Sequence, residues 1–179
     1  MMTNSKRIFI DLDGVLANWT YHYNDYACNH TATTYPSYDA TTSLDKENYS
    51  YSKYLKRFGK DFWKTIPLMP WGLNLYNFCK SYCDNVFILT SPSDDGSSAH
   101  GKMDWIYKYL KTNRFIITPH KYLLADSDSL LIDDSPKKIN KFIEHGGHGF
   151  LFLENGDNLQ ECYNTIKCFV KSNDAVDIM

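Results

Sequence analysis

The 179-residue sequence predicts an α/β protein built on a parallel β-sheet. Short runs of β-branched and aromatic residues recur along the chain, and the stretches between them carry apolar residues at helical spacing. Polar residues follow most of these runs directly. Alternating strand and helix patterns of this kind are typical of a parallel sheet whose strands are joined by crossover helices.

The strand pattern occurs five times, and each run is bounded by polar or turn-forming residues. The predicted strands are 7–11, 86–90, 114–118, 130–133 and 149–153. Five parallel strands joined by helices would form a Rossmann-like core.

Helical spacing of apolar residues predicts a helix on each side of the second strand and one after each of the last two strands. The helix that follows the fourth strand should begin at Ser135-Pro136 and end at Gly146-Gly147. The residues expected to face the core are Leu73, Tyr76, Cys79 and Cys83, then Met103, Ile106 and Leu110, then Ile139, Phe142 and Ile143, and finally Leu159, Cys162, Ile166 and Phe169.

Residues 18–69 interrupt this alternation, because they are rich in Tyr, Thr, Asn and Ser and contain no convincing strand. Twelve aromatic residues fall in this stretch, which suits a small helical unit that needs bulky side chains to form a core. We therefore predict a core made of residues 1–17 and 70–179, with a mainly helical cap formed by residues 18–69 inserted after the first strand.

The composition excludes several classes of protein. A net charge of −2 provides no electrostatic footprint for duplex nucleic acid. Neither a signal peptide nor an apolar run of membrane-spanning length is present, so we expect a cytoplasmic protein without membrane contact. The five cysteines form no Cys-x-x-Cys pair and are expected to be free thiols.

The predicted strands end in residues that suit phosphoryl transfer. The first ends in Asp11 and Asp13, the second in Thr90-Ser91 and the fourth in Asp133-Asp134, while Lys121 follows the third. Because the carboxyl ends of parallel strands meet at one sheet edge, these side chains should lie together. Carboxylates, hydroxyls and an ammonium group are the components of a magnesium-assisted phosphoryl-transfer site.

These strand ends closely resemble the four motifs of the haloacid dehalogenase-like phosphatases. Asp11-Leu12-Asp13-Gly14-Val15-Leu16, Leu89-Thr90-Ser91-Pro92 and Leu131-Ile132-Asp133-Asp134 look most like those of the 5'(3')-deoxyribonucleotidases. The junction between cap and core, Phe62-Trp63-Lys64-Thr65-Ile66-Pro67-Leu68-Met69-Pro70, is similar to that group too. The resemblance implies a haloacid dehalogenase-like core, a Mg²⁺ cofactor and nucleotide dephosphorylation.

The residue types are consistent with the roles that the resemblance implies. Asp11 is ionised at neutral pH and can attack phosphorus, whereas Asp13 must hold a proton part of the time to act as acid and base. Asp11 and Asp134 are the expected Mg²⁺ ligands, and the resemblance adds the backbone carbonyl of Asp13. Asp133 would orient or support the site without contacting the ion, but the sequence leaves the division of roles between Asp133 and Asp134 open.

Phosphate is expected to bind Thr90, Ser91 and Lys121. Lys102, eleven residues after Ser91 on a predicted helix, competes with Lys121 for the role of phosphate lysine. The segment that carries Lys121 is about two residues longer before the Asp pair than in the nucleotidases, so both lysines remain candidates.

The cap should select the substrate. Trp19 stands where the nucleotidases have an aromatic residue facing the base, and Phe62 or Trp63 could complete the pocket. Two positions differ from the nucleotidase pattern. Ser135 stands where the nucleotidases usually carry an arginine, and Ser93-Asp94-Asp95-Gly96 adds negative charge near the substrate.

The expected substrate is a deoxyribonucleoside monophosphate. The alternatives are another small phosphate ester, a nucleic-acid end, or a nucleotide-binding module without turnover, and a homodimer is compatible with the sequence.

Overall fold

The structure, a computed structural model, describes residues 5–30, 58–93 and 96–172. Its centre is a five-stranded sheet in which every pair of neighbouring strands is parallel. The strands are β1 (Arg7–Ile10), β2 (Val86–Thr90), β3 (Phe115–Ile117), β4 (Ser129–Asp133) and β5 (His148–Leu151), in the order β3-β2-β1-β4-β5. The predicted α/β class is confirmed, and β1 lies in the middle of the sheet.

Helices cover both faces of this sheet. They are α1 (Trp19–His30), α2 (Gly59–Thr65), α3 (Gly72–Tyr82), α4 (Ser97–Leu110), α5 (Pro136–Glu144) and α6 (Leu159–Lys171), with a short 3-10 helix at Lys121–Leu124. The larger hydrophobic cluster joins one sheet face to buried side chains of α3, α4 and α6. A smaller cluster on the other face joins Phe9, Leu89 and Leu131 to Ile139 and Phe142 of α5.

Two of the predicted helix faces need correction. The buried side chains of α3 are Leu75, Tyr76 and Cys79, whereas Leu73 is 43% exposed. The apolar stripe of α3 therefore starts later than predicted. On α5, Ile139 and Phe142 are buried but Ile143 is 49% exposed, so Ile143 lies at the edge of the apolar stripe.

The ends of the inserted segment meet beside β1. Ala17 and Leu68 form an antiparallel bridge, and the Asn18 amide donates to Pro67 O at 2.8 Å. Residues 31–57 lie outside the described part of the chain, so the boundaries of the cap stay a prediction.

Helix α2, in the second half of the inserted segment, packs closely against α4. A Cβ added to Gly101 would lie 2.5 Å from both Lys60 O and Trp63 Cβ, so α2 and α4 approach closely at this glycine. The Trp105 indole also donates to Ile66 O at 2.6 Å. Phe62 and Trp63 consequently belong to the same hydrophobic cluster as the sheet.

The cysteines whose side chains are described are free thiols, as predicted. Cys79, Cys83 and Cys162 are buried and Cys168 is exposed, whereas the Cys28 side chain lies outside the described part. None of the helices in the described ranges is long and apolar enough to cross a membrane.

Candidate active site

Asp11 is buried at the carboxyl end of the central strand. Its backbone amide donates to Ile132 O at 2.9 Å, so pairing with β4 continues one residue beyond β1. The chain then turns tightly, and Leu12 O accepts the amides of Leu16 and Ala17 at 2.9 and 2.8 Å. Gly14 has φ of +78° in this turn, a conformation that side chains rarely adopt. The turn keeps the Asp11 carboxylate at the sheet edge with 1% of the residue exposed.

Both oxygens of the Asp11 carboxylate contact cationic or amide donors. Oδ1 accepts the Leu12 amide at 2.8 Å and lies 2.7 Å from Lys121 Nζ, while Oδ2 lies 3.1 Å from Lys138 Nζ. Burial alone would raise the pKa of Asp11, but the charges of Lys121 and Lys138 outweigh burial and hold the pKa below its usual range. Asp11 is therefore an ionised carboxylate in a site that water barely reaches.

Asp133 lies beside Asp11 and shares both lysines with it. Asp133 Oδ2 is 2.6 Å from Lys121 Nζ, and Oδ1 is 3.6 Å from Lys138 Nζ and accepts the Ser135 amide at 2.9 Å. Burial, followed by the negative charge of Asp11, raises the pKa of Asp133 above its usual value. The contacts orient Lys121 and the start of α5, which is what a supporting role would require.

Three carboxylates form a group that could hold a metal ion. Ligand oxygens of Asp11, Asp133 and Asp134 lie within 4.8 Å of one another. Such an all-oxygen group suits Mg²⁺, and Gly14 leaves the space that the Asp134 carboxylate occupies. The Asp13 carboxylate is not in this group.

Asp13 instead faces a third lysine. Its Oδ2 is 2.6 Å from Lys102 Nζ, and its Oδ1 is buried without a hydrogen-bond partner among the described residues. Lys102 Nζ also donates to Thr90 Oγ1 at 3.2 Å and to Ser91 O at 2.6 Å. The phosphate-binding residues predicted at the end of β2 are therefore linked to Asp13 through Lys102.

The two competing lysines both reach the site. Lys121 contacts Asp11 and Asp133, and Lys102 contacts Asp13, Thr90 and Ser91. Each is nearly enclosed, with 2% and 3% of its side chain exposed. The two lysines therefore contact different carboxylates and do not occupy the same position in the site.

Lys138 is the residue that the sequence reasoning missed. It lies in the first turn of α5, three residues after Ser135, and side chains in a first turn lean back toward the start of the helix. That lean brings its ammonium group to Asp11 and Asp133, and their charges together with that of Asp134 raise the pKa of Lys138, against the effect of burial. The missed signal was a lysine one turn after an Asp-Asp pair.

The aromatic residues predicted for the substrate pocket differ in exposure. Trp19, on the first turn of α1, is partly exposed and stacks on Tyr23 with ring centroids 5.1 Å apart. Phe62 has no exposed surface, and Trp63 is 3% exposed with Lys102 Nζ 4.8 Å from its ring centre. In this conformation Phe62 packs in the core and Trp63 supports Lys102, whereas Trp19 is partly exposed.

Comparison with known proteins shows the fold. No protein-family model and no curated protein matches this chain. A HAD family hydrolase from Deinococcus radiodurans R1, crystallised with bound phosphate and sodium, is similar over 99% of this chain and 100% of its own, with a TM-score of 0.52 and 10% identity. A hydrolase from Pseudomonas syringae is similar over 89% of each chain, with a TM-score of 0.51 and 16% identity. The chain thus has the fold of the haloacid dehalogenase-like (HAD) hydrolases.

Proposed function

We propose that this protein is a magnesium-dependent phosphomonoesterase that dephosphorylates deoxyribonucleoside or ribonucleoside monophosphates through an aspartyl-phosphate intermediate. The observation that carries the proposal is the buried Asp11 carboxylate at the end of the central strand, flanked by Lys121 and Lys138. A nucleophile in this position can meet a phosphate at the sheet edge where ligands of parallel α/β folds bind.

Asp11 is suited to nucleophilic attack because it is ionised without help from a base. An Asp11 oxygen attacks phosphorus, the bond from phosphorus to the ester oxygen breaks, and the leaving oxygen takes a proton from Asp13. A water molecule then attacks the aspartyl-phosphate and gives its proton to Asp13, which releases inorganic phosphate and restores both residues.

The contact between Lys102 and Asp13 must change during this cycle. The ammonium group lies 2.6 Å from Asp13 Oδ2 and so occupies a carboxylate oxygen that Asp13 needs for proton transfer. Lys102 also contacts Thr90 and Ser91, so an arriving phosphate can draw the ammonium toward itself. Substrate binding would thereby free Asp13 to carry the proton.

The charge of the site supports a requirement for a divalent cation. Asp11, Asp13, Asp133 and Asp134 face Lys102, Lys121 and Lys138, which leaves one negative charge before a phosphate dianion arrives. Asp11 and Asp134, with the backbone carbonyl of Asp13, would hold Mg²⁺. When bound, Mg²⁺ supplies two positive charges close to the phosphate oxygens. The bound phosphate of the Deinococcus radiodurans hydrolase supports a phosphate ligand for this fold.

A nucleotide substrate is supported by the motif resemblance and by Trp19. The indole is partly exposed, and its stacking on Tyr23 at an interplanar angle of 20° holds it in a defined orientation. Any of the bases can stack on such a ring, because every base has a flat aromatic face. The base would then rest on Trp19 while the phosphate reaches Asp11.

The proposal is tested by measuring phosphate release from nucleoside monophosphates, sugar phosphates and 5'-phosphorylated oligonucleotides, with Mg²⁺ and with EDTA. We expect mononucleotide hydrolysis that requires Mg²⁺ and falls by at least about 10³-fold in Asp11→Asn, while Asp61→Asn, an exposed acid on α2, retains it. Undiminished hydrolysis in Asp11→Asn would overturn the proposed mechanism. Faster turnover of sugar phosphates or oligonucleotides would overturn the proposed substrate, and nucleotide binding without turnover in saturating Mg²⁺ would overturn the enzymatic function.

A further inference from the structure

Two lysines bridge the same pair of buried carboxylates from opposite sides. Lys121 contacts Asp11 Oδ1 and Asp133 Oδ2 at 2.7 and 2.6 Å. Lys138 approaches the other oxygen of each carboxylate, at 3.1 Å for Asp11 Oδ2 and 3.6 Å for Asp133 Oδ1. The four side chains form a closed ring of alternating charges.

The two lysines of this ring differ in exposure. The Lys121 side chain is 2% exposed, whereas that of Lys138 is 35% exposed. Lys121 is thus enclosed and makes the shorter contacts, while Lys138 makes the longer contacts and has a path to solvent. A lysine side chain with four rotatable bonds can leave such a position without any backbone movement.

The position of Lys138 on α5 is unfavourable without the carboxylates. It lies in the first turn of the helix, where the backbone amides carry partial positive charge and a cation is repelled. Asp11, Asp133 and Asp134 provide the compensating charge. Asp11 and Asp134 are also the proposed metal ligands, so Lys138 and a metal ion would draw on the same negative charge.

We propose that Lys138 is an internal counter-ion of the carboxylate group, which stabilises the metal-free site and is displaced toward solvent when Mg²⁺ binds. This inference rests on the metal site of the proposed function. Lys138 would then lower the Mg²⁺ affinity, because binding must break its contacts with Asp11 and Asp133. In exchange, Lys138 would give Asp11 and Asp133 a second cation besides Lys121 while the metal is absent.

The test compares Lys138→Met, Lys138→Arg and Lys137→Met by Mg²⁺ titration calorimetry and by thermal unfolding in EDTA and in saturating Mg²⁺. Lys137→Met is the matched control, since it removes the same charge from the neighbouring, exposed position on α5. We expect Lys138→Met to bind Mg²⁺ about 3- to 30-fold more tightly, from the removal of one positive charge a few ångströms from a divalent ion. Its melting temperature should fall in EDTA and recover in Mg²⁺, while Lys138→Arg and Lys137→Met remain close to the wild type.

A second measurement uses the wild-type protein and does not depend on the folding of a variant. Acetylation of lysines by a soluble reagent, followed by peptide mass spectrometry, should show that Mg²⁺ increases the reactivity of Lys138 and leaves that of Lys137 unchanged. Equal or weaker Mg²⁺ binding by Lys138→Met, protection of Lys138 by Mg²⁺, or absence of Mg²⁺ binding by both proteins would each overturn the inference. These measurements need no substrate, so failure of the nucleotidase proposal, seen as absence of phosphate release, is recorded separately.

Discussion

Gly14 and Asp134 are packed so closely that a Cβ atom added to Gly14 would lie 2.6 Å from Asp134 Oδ2. The glycine belongs to the turn after β1 and the aspartate follows β4, so this contact joins the ends of two neighbouring strands. The space left by the missing side chain is where the Asp134 carboxylate lies. The glycine of the Asp-x-Asp-Gly motif therefore serves both the turn and the arrangement of the carboxylates.

Replacement of Gly14 by alanine should damage both functions. The left-handed backbone at φ +78° and the clash with Asp134 should together cost about 1 to 3 kcal/mol of unfolding free energy. Displacement of Asp134 should also weaken Mg²⁺ binding, which calorimetry can measure. Gly59→Ala is the matched control, because Gly59 has φ of +62° but no atom within 4 Å of an added Cβ. Gly59→Ala should lose stability and keep its Mg²⁺ affinity, and equal loss of affinity in both variants would contradict the explanation.

Asp13→Asn should separate the two chemical steps. With p-nitrophenyl phosphate the leaving group needs no proton, so attack by Asp11 should continue while hydrolysis of the phosphoenzyme slows by about 10²- to 10⁴-fold. Rapid mixing should then show a burst of nitrophenolate with an amplitude close to the enzyme concentration, followed by slow turnover. Absence of a burst, with steady turnover at the wild-type rate, would mean that another group transfers the proton.

Lys121→Met should destabilise the fold as well as the site. Asp11 and Asp133 would be left buried without the cation that makes their shortest ion pairs, which should lower the unfolding free energy by about 3 to 5 kcal/mol in urea denaturation. Lys6→Met is a useful comparison, since Lys6 is also buried but its partner Asp128 is 34% exposed and lies 3.4 Å away. A loss from Lys121→Met no larger than that from Lys6→Met would show that the two carboxylates do not depend on Lys121.

Cys162 should make the fold sensitive to alkaline pH. Burial, aided by the nearby Glu161, raises the pKa of its thiol to about 12 from an ordinary value of 9.0. Between these values the unfolded chain releases the proton and the folded chain retains it, so unfolding free energy should fall by about 1.4 kcal/mol per pH unit from this group. Cys162→Ala should therefore lose less stability than the wild type between pH 9 and 10 in urea denaturation. Cys168→Ala, which alters an exposed thiol, should behave like the wild type.

Trp19→Leu should affect nucleotides more than small phosphate esters. Loss of base stacking should raise KM for the preferred nucleoside monophosphate by about 5- to 100-fold, since stacking contributes about 1 to 3 kcal/mol per base. The KM for p-nitrophenyl phosphate should change little. Tyr21→Leu removes a ring on the same helix that is 60% exposed, and it should leave both values near those of the wild type. An equal-fold rise in KM for both substrates would contradict base stacking and would mean that Trp19 acts by packing within the cap.

The sequence by itself determined the α/β class and the order in which chemical groups reach the sheet edge. Runs such as 86–90 are short, apolar and rich in β-branched and aromatic residues, so their ends are visible in the pattern, and parallel strands bring those ends to one edge. Asp11 and Asp133, predicted on this basis, lie close enough to share Lys121.

The tertiary structure alone decided which side chains complete the site. Lys102 and Lys121 contact different carboxylates, and Lys138 reaches Asp11 from the first turn of α5, a contact that the spacing of the lysine after the Asp pair suggests but does not fix. Phe62 has no exposed surface because the rings of His22, Tyr26 and Phe58 pack against it. Local sequence periodicity specifies strands and helices, but the reach of a lysine and the burial of a ring depend on how distant elements pack, and periodicity does not carry that information.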